Sequence, residues 1–182
     1  MATFSLEEKI LKVNKKNFKY IQKGKGQLVL MIHGWPENCN SWLNQISFIS
    51  KLGYKAVAIN VRGYADSYSP HAIQSYKLKF FMEDIIDVIN YFNKENAILV
   101  GHDWGAPICW TTAAYYKEKI TAVIGLSVPF TRRGKVSSTK LWQKLYKNIF
   151  FYQNYFQYEN IPEKELELYL IHISEPTRPP EI

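Results

Sequence analysis

The stretch Ala97-Ile98-Leu99-Val100-Gly101-His102-Asp103-Trp104-Gly105-Ala106 places one carboxylate, Asp103, between two glycines. It sits where a short apolar run gives way to Pro107-Ile108-Cys109-Trp110-Thr111-Thr112-Ala113-Ala114, an apolar segment of helical character. A strand that reverses into a helix within so few residues needs a strained turn, with small neighbours so that backbones can approach. The residue at the apex then projects above the sheet, at the N-terminus of the following helix. A carboxylate is already anionic, so it can attack an sp³ carbon without first losing a proton. The product is an aspartyl ester. Hydrolysing that ester creates an oxyanion, which needs backbone N–H donors fixed in advance. The competing role for Asp103 is a helix N-cap, which Asp fills well.

The elements that would position this carboxylate follow from hydrophobic patterning. Leu28–Ile32 and Ala56–Ile59 are continuous apolar runs, as expected of central strands in a parallel sheet. Ile120–Leu126 reads as a further strand and Asn17–Gln22 as an earlier one, with Gly24-Lys25-Gly26 as a hairpin turn after it. Trp42, Ile46 and Ile49 are spaced for one helix face, closed by Gly53. Leu78, Phe81, Met82, Ile85, Ile89 and Phe92 recur at helical spacing and predict an amphipathic helix. Alternating strands and helices imply an α/β fold with a doubly wound, mostly parallel sheet and right-handed crossovers. Ligand sites in such sheets lie at the C-terminal ends of the strands. His33-Gly34-Trp35-Pro36-Glu37, Arg62-Gly63-Tyr64-Ala65-Asp66-Ser67 and the Asp103 turn all fall there.

Composition narrows the classes. The chain has 182 residues, 47% of them hydrophobic, which suits one globular domain with a real core. No apolar run reaches membrane-spanning length, and the first residues lack the order of a signal peptide. Cys39 and Cys109 form no CxxC, which argues against a disulfide scaffold or zinc site and for a reducing, cytoplasmic setting. The net charge of +7 comes largely from lysines near the start. No nucleic-acid-binding module accompanies them, so they read as a solvated edge. No cofactor or metal is implied.

Together, His33-Gly34-Trp35-Pro36-Glu37, Arg62-Gly63-Tyr64-Ala65-Asp66-Ser67 and Gly101-His102-Asp103-Trp104-Gly105-Ala106 resemble the epoxide hydrolase branch of the α/β-hydrolase fold, in order and spacing, from about Phe18 to Phe130. The family usually has Gly where this chain has Ala65. The resemblance implies that Asp103 is the nucleophile and that the N–H groups of Trp35 and Trp104 form the oxyanion hole. Trp35-Pro36 would suit a cis peptide. Tyr152, in Tyr152-Gln153-Asn154-Tyr155-Phe156-Gln157, matches a lid tyrosine that acts as acid on the epoxide oxygen. His33, Pro36 and His102 belong to the substrate pocket, the histidines hydrogen-bonding around the site rather than acting as bases. Arg62, Asp66 and Ser67 fix their loop.

These readings divide the chain into a core at 1–130, part of a helical lid at 131–173 and a tail at 174–182. The lid segment is rich in aromatics, including Trp142, Tyr146, Phe150 and Phe156. Ile173–Pro179 resembles the translation of read-through from a sequencing adapter, so the tail reads as non-native or disordered. The resembling family carries its relay acid and histidine after the lid. Here the histidine after the elbow is His172, with no strand before it, so the chain reads as a C-terminally truncated fragment that is inactive by itself. Three functions stay open: opening a small apolar epoxide, hydrolytic dehalogenation of a haloalkane by the same aspartate, or non-catalytic binding in the same pocket. The Trp35-Pro36-Glu37 loop and Tyr152 lean away from the dehalogenase.

Overall fold

A computed structural model describes residues 6–64 and 66–130, together with Lys164, an exposed helical residue. The chain divides into two compact units, Met1–Thr131 and Arg132–Ile182. In the first, six strands form one sheet: β1 (Lys9–Val13), β2 (Lys16–Lys23), β3 (Leu28–Ile32), β4 (Lys55–Ile59), β5 (Ala97–His102) and β6 (Ile120–Leu126). Their spatial order is β1-β2-β4-β3-β5-β6. The four from β3 to β6 that carry the crossovers are parallel, and β1 and β2 add an antiparallel edge. Three helices fill the crossovers: α1 (Leu43–Lys51), α2 (Leu78–Tyr91) and α3 (Gly105–Tyr115).

The central strands are apolar throughout because both faces are covered. On one face Leu30, Ile32, Val57, Ile59 and Leu99 pack with Ile85, Val88 and Ile89 of α2 and Ile108 and Cys109 of α3. On the other, Val29, Met31, Ala56, Ala58 and Val100 pack with Cys39, Trp42 and Ile46. Adjacent strand residues point to opposite faces, so every position of β3 is buried. Among the described residues no helix is long and apolar enough to cross a membrane.

One strand was missed in the sequence, and one expectation is corrected. The lysine-rich start contains β1, which pairs with β2 across a turn at Asn14 and Lys15, with φ of 48° and 60°. This turn lacks the glycine that usually announces such geometry. Gly24-Lys25-Gly26 is not a hairpin turn, because β2 and β3 do not pair: β4 lies between them. A Cβ on Gly24 would strike the carbonyl oxygen of Tyr54, and one on Gly26 that of Gly53. The glycines admit the chain entering β4, which separates the strands on either side of the turn.

Glycine at 105 is a condition of the fold. A Cβ there would collide with the backbone carbonyl of Ile32, at the end of the central strand. We expect Gly105→Ala to lower stability by about 1–3 kcal/mol or more, the usual range for overpacking. Urea denaturation checks this against wild type, and an unchanged midpoint would contradict it.

Candidate active site

The site is built where β3, β4 and β5 end. Asp103 follows β5 directly and has φ of 49°, the left-handed region that L-residues rarely adopt. Its own N–H donates to the carbonyl of Leu126, and its carbonyl accepts from Ala106 N–H. Close approach holds this conformation. A Cβ at Gly101 would lie 2.7 Å from Ala106 Cα, and one at Gly34 would lie 2.7 Å from Asp103 Oδ1. Glycine at 34 therefore lets the loop after β3 come down onto the carboxylate.

That approach makes the central contact. The Trp35 backbone N–H donates to Asp103 Oδ1 at 3.0 Å. The Trp35-Pro36 peptide is cis. Helix α3 receives no side-chain cap, and its N-cap position is Trp104, so the Asp103 carboxylate is not a helix cap. The Trp104 N–H follows Asp103 immediately, at a helix N-terminus, where backbone donors lack intrahelical partners. Among the described residues no cation pairs with Asp103. The buried cation of the neighbouring loop, Arg62, is committed to Asp84 through bonds of 2.6 and 2.7 Å.

His33 is fixed in one tautomer. Nδ1–H donates to the Gly34 carbonyl at 2.8 Å, and Nε2 accepts the Val61 N–H at 3.2 Å. The Tyr64 ring packs edge-on against it at 4.5 Å. Burial pushes the imidazole below its usual value, with the Gly34 hydrogen bond opposing. His33 therefore joins the loop after β3 to the loop after β4 as a neutral group. His102 is half-exposed, with Nδ1 3.0 Å from Glu37 Oε2, a contact that links the two loops around Asp103 from the other side.

A cavity of about 420 Å³ opens beside these loops, lined by His33, Trp35, Val61, Tyr64, Tyr76, Leu78, Phe81, Trp104, Pro107 and Ile108. Trp35 and Trp104, both among its lining, are 42% and 48% exposed. Of the residues expected at the site, Trp35, Trp104 and His33 line this cavity, whereas Asp103, Pro36 and His102 do not; Asp103 reaches it through its bond to the lining residue Trp35. Tyr152 lies outside the described residues. Sequence reasoning missed Tyr64, Tyr76, Leu78 and Phe81 as lining. Only their position after a strand end could have signalled it. The Tyr64 phenol is pushed up by burial and, less, by the charge of Asp103.

Comparisons with known proteins identify the fold. A family model described as the alpha/beta hydrolase fold matches residues 27–178. Epoxide hydrolase A of Mycobacterium tuberculosis is 32% identical over 161 residues, covering 87% of this chain and 50% of that protein. Epoxide hydrolase B of the same organism is 40% identical over 111 residues, covering 61% of this chain and 31% of that protein. The crystal structure of Epoxide Hydrolase A from Mycobacterium thermoresistibile superposes with a TM-score of 0.83 at 33% identity, over 89% of this chain and 52% of that one. An epoxide hydrolase structure from Vigna radiata gives 0.79 at 36% identity, over 87% and 49%. The chain thus spans about half, or less, of the length of these relatives.

The His33 geometry predicts a pH dependence. The folded protein holds this histidine neutral below its usual value of 6.5, while the unfolded chain protonates near that value. Its contribution is present above the unfolded value and is lost as pH falls below it. Urea midpoints measured across this range should fall in wild type and fall less steeply in His33→Gln. Parallel curves would remove His33 from the account.

Proposed function

The chain belongs to the α/β-hydrolase fold family, and from that premise we propose that it carries the nucleophilic half of an enzyme that opens an epoxide to a diol. The observation that carries this reading is the Asp103 carboxylate at the elbow, its Oδ1 held by the Trp35 N–H beside an apolar cavity. The names of the relatives support an epoxide as substrate. The apolar lining favours a small substrate with an uncharged, apolar substituent.

The reaction divides into two steps. An Asp103 carboxylate oxygen attacks one ring carbon, and the carbon–oxygen bond of the epoxide breaks. Its electron pair goes to the epoxide oxygen, which takes a proton from the Tyr152 hydroxyl. This forms a hydroxyalkyl ester on Asp103. Water then gives up a proton to a base and attacks the aspartyl carbonyl carbon. The oxyanion that develops sits between the N–H groups of Trp35 and Trp104. Its collapse expels the alkoxide, which takes the proton back from the base and leaves as the diol, and the Asp103 carboxyl gives its remaining proton to the Tyr152 phenolate. The 3.0 Å bond from Trp35 to Oδ1 marks where that charge would be held.

The base is not among the described histidines. Both ring nitrogens of His33 are engaged, His102 faces Glu37, and exposed His71 is not among the residues that line the cavity. We therefore read hydrolysis of the ester as depending on a base outside the described residues. Residues 131–173 are proposed as lid and 174–182 as a tail without a part in the chemistry.

Two experiments test this reading. Offering the protein styrene oxide and a 1-haloalkane in parallel should give alkylation or diol from the epoxide alone, lost in Asp103→Asn. Halide release would instead favour a dehalogenase, and no reaction with either would favour a binding protein. Tyr152→Phe should slow the ring-opening step about a hundredfold, as expected for loss of one general acid. An unchanged pre-steady-state rate would return Tyr152 to a packing role.

A further inference from the structure

The cavity wall contributed between β4 and α2 is unusual in how it is held. Tyr76 and Leu78 line the cavity, yet neither is buried: they are 38% and 41% exposed, and Ile73 before them is 81% exposed. The 3-10 turn Ile73–Tyr76 contains no buried residue. Such a segment has little apolar contact to hold it. Its described hydrogen bonds are also few. Ser69 Oγ donates to Ser67 O nearby, and Ser75 N–H donates to Ala72 O within the segment. One bond reaches it from a distant position: Arg62 Nη1–H donates to the carbonyl of Ser75 at 2.5 Å.

Arg62 is in turn firmly placed. Its Nε–H and Nη2–H grip both carboxylate oxygens of Asp84 on α2, and Nη2 also donates to the Phe80 carbonyl at 3.0 Å. The rings of Tyr68, Phe80 and Phe81 lie 5.3–5.7 Å from the guanidinium carbon. Asp84 holds a second cation, Lys16 at 2.7 Å, which also pairs with Asp87 at 2.6 Å. The planar fork therefore spans a helix carboxylate on one side and a wall carbonyl on the other, which a lysine cannot reproduce. Beside it, a Cβ at Gly63 would lie 2.7 Å from the Tyr76 ring, so this glycine leaves the seat into which the tethered wall settles.

We propose that Arg62 is a positioning residue that tethers the Ile73–Tyr76 turn to α2, holding Tyr76 beside Leu78 at the start of that helix, and thereby sets which apolar substituents the cavity accepts. The selectivity half rests on the epoxide reading; the tether does not. With the wall held, an aryl substituent beside the epoxide finds a formed surface. With the wall loose, that contact is lost, while an epoxide too small to reach it reacts as before.

The test uses the full chain with two variants. Arg62→Lys keeps the charge but not the fork. Arg62→Met/Asp84→Leu removes both buried charges together, which spares the fold the cost of an unpaired ion. The tether is read by limited trypsin digestion, since exposed Lys77 lies at the end of the wall. Cleavage after Lys77 should accelerate in both variants relative to cleavage after Lys51, with circular dichroism confirming a folded chain. Selectivity is read from the rate of adduct formation on Asp103 against epoxide concentration. The half-saturating concentration of styrene oxide should rise about tenfold, the scale of a lost apolar contact, with its maximal rate and the rates with propylene oxide unchanged. Unaltered cleavage at Lys77 overturns the tether. Equal losses with both epoxides overturn the selectivity role. If wild type reacts with neither epoxide, the epoxide reading fails and proteolysis still decides the tether.

Discussion

A single hydrogen bond, from the Trp35 N–H to Asp103 Oδ1 at 3.0 Å, constrains most of what surrounds it. For it to form, the loop after β3 must descend onto the turn after β5, and only a residue without Cβ at position 34 permits that. The turn must also hold Asp103 at positive φ, which requires α3 to start almost in contact with β5 and β3. Glycines at 101 and 105 meet that demand. Three glycines, in the loop after β3, at the end of β5 and at the start of α3, thus serve one contact. The outcome is a carboxylate with a donor on one side, a helix N-terminus behind it and no opposing cation among the described residues.

Around that contact the molecule separates charge from apolar surface. Among the described residues the buried charges are Arg62 and Asp84, which pair with each other and, through half-buried Lys16, with Asp87, between β2, α2 and the loop after β4. The cavity side carries rings and aliphatic groups, and its one imidazole, His33, is held neutral by two backbone partners. Under the proposed mechanism, the lack of a pairing cation among the described residues leaves the Asp103 charge free to attack rather than stabilised in an ion pair. The same loop serves both regions: Arg62 points into the ionic cluster while Val61 and Tyr64 face the cavity.

Much of this was legible in the sequence because it rests on local patterns. Continuous apolar runs announced β3, β4 and β5, and helical spacing announced α2, since those elements are buried on the faces their periods specify. The glycines flanking Asp103 announced the turn. What escaped depends on partners distant in sequence. Strand β1 was hidden because its lysines mark a solvated edge, a common protection for edge strands. The Gly24–Gly26 turn read as a hairpin because nothing local reveals that β4 intervenes. Asp84 offered a signal that went unused: it lies three residues after Phe81 and four before Val88, on the apolar face of α2, where a carboxylate requires a buried partner. Leu78 was legible as the start of α2, but Tyr76 had no signal beyond its place after β4, since it is an exposed residue of the connection before that helix.

The most direct measurement of the central claim is peptide mass spectrometry of the purified chain after brief exposure to styrene oxide. The account predicts that the peptide carrying Asp103 gains the mass of one styrene oxide, that fragmentation places it on the Asp103 carboxylate, and that hydroxylamine releases it as an ester. A modification found instead on cysteine, histidine or lysine, with Asp103 unmodified, would contradict it.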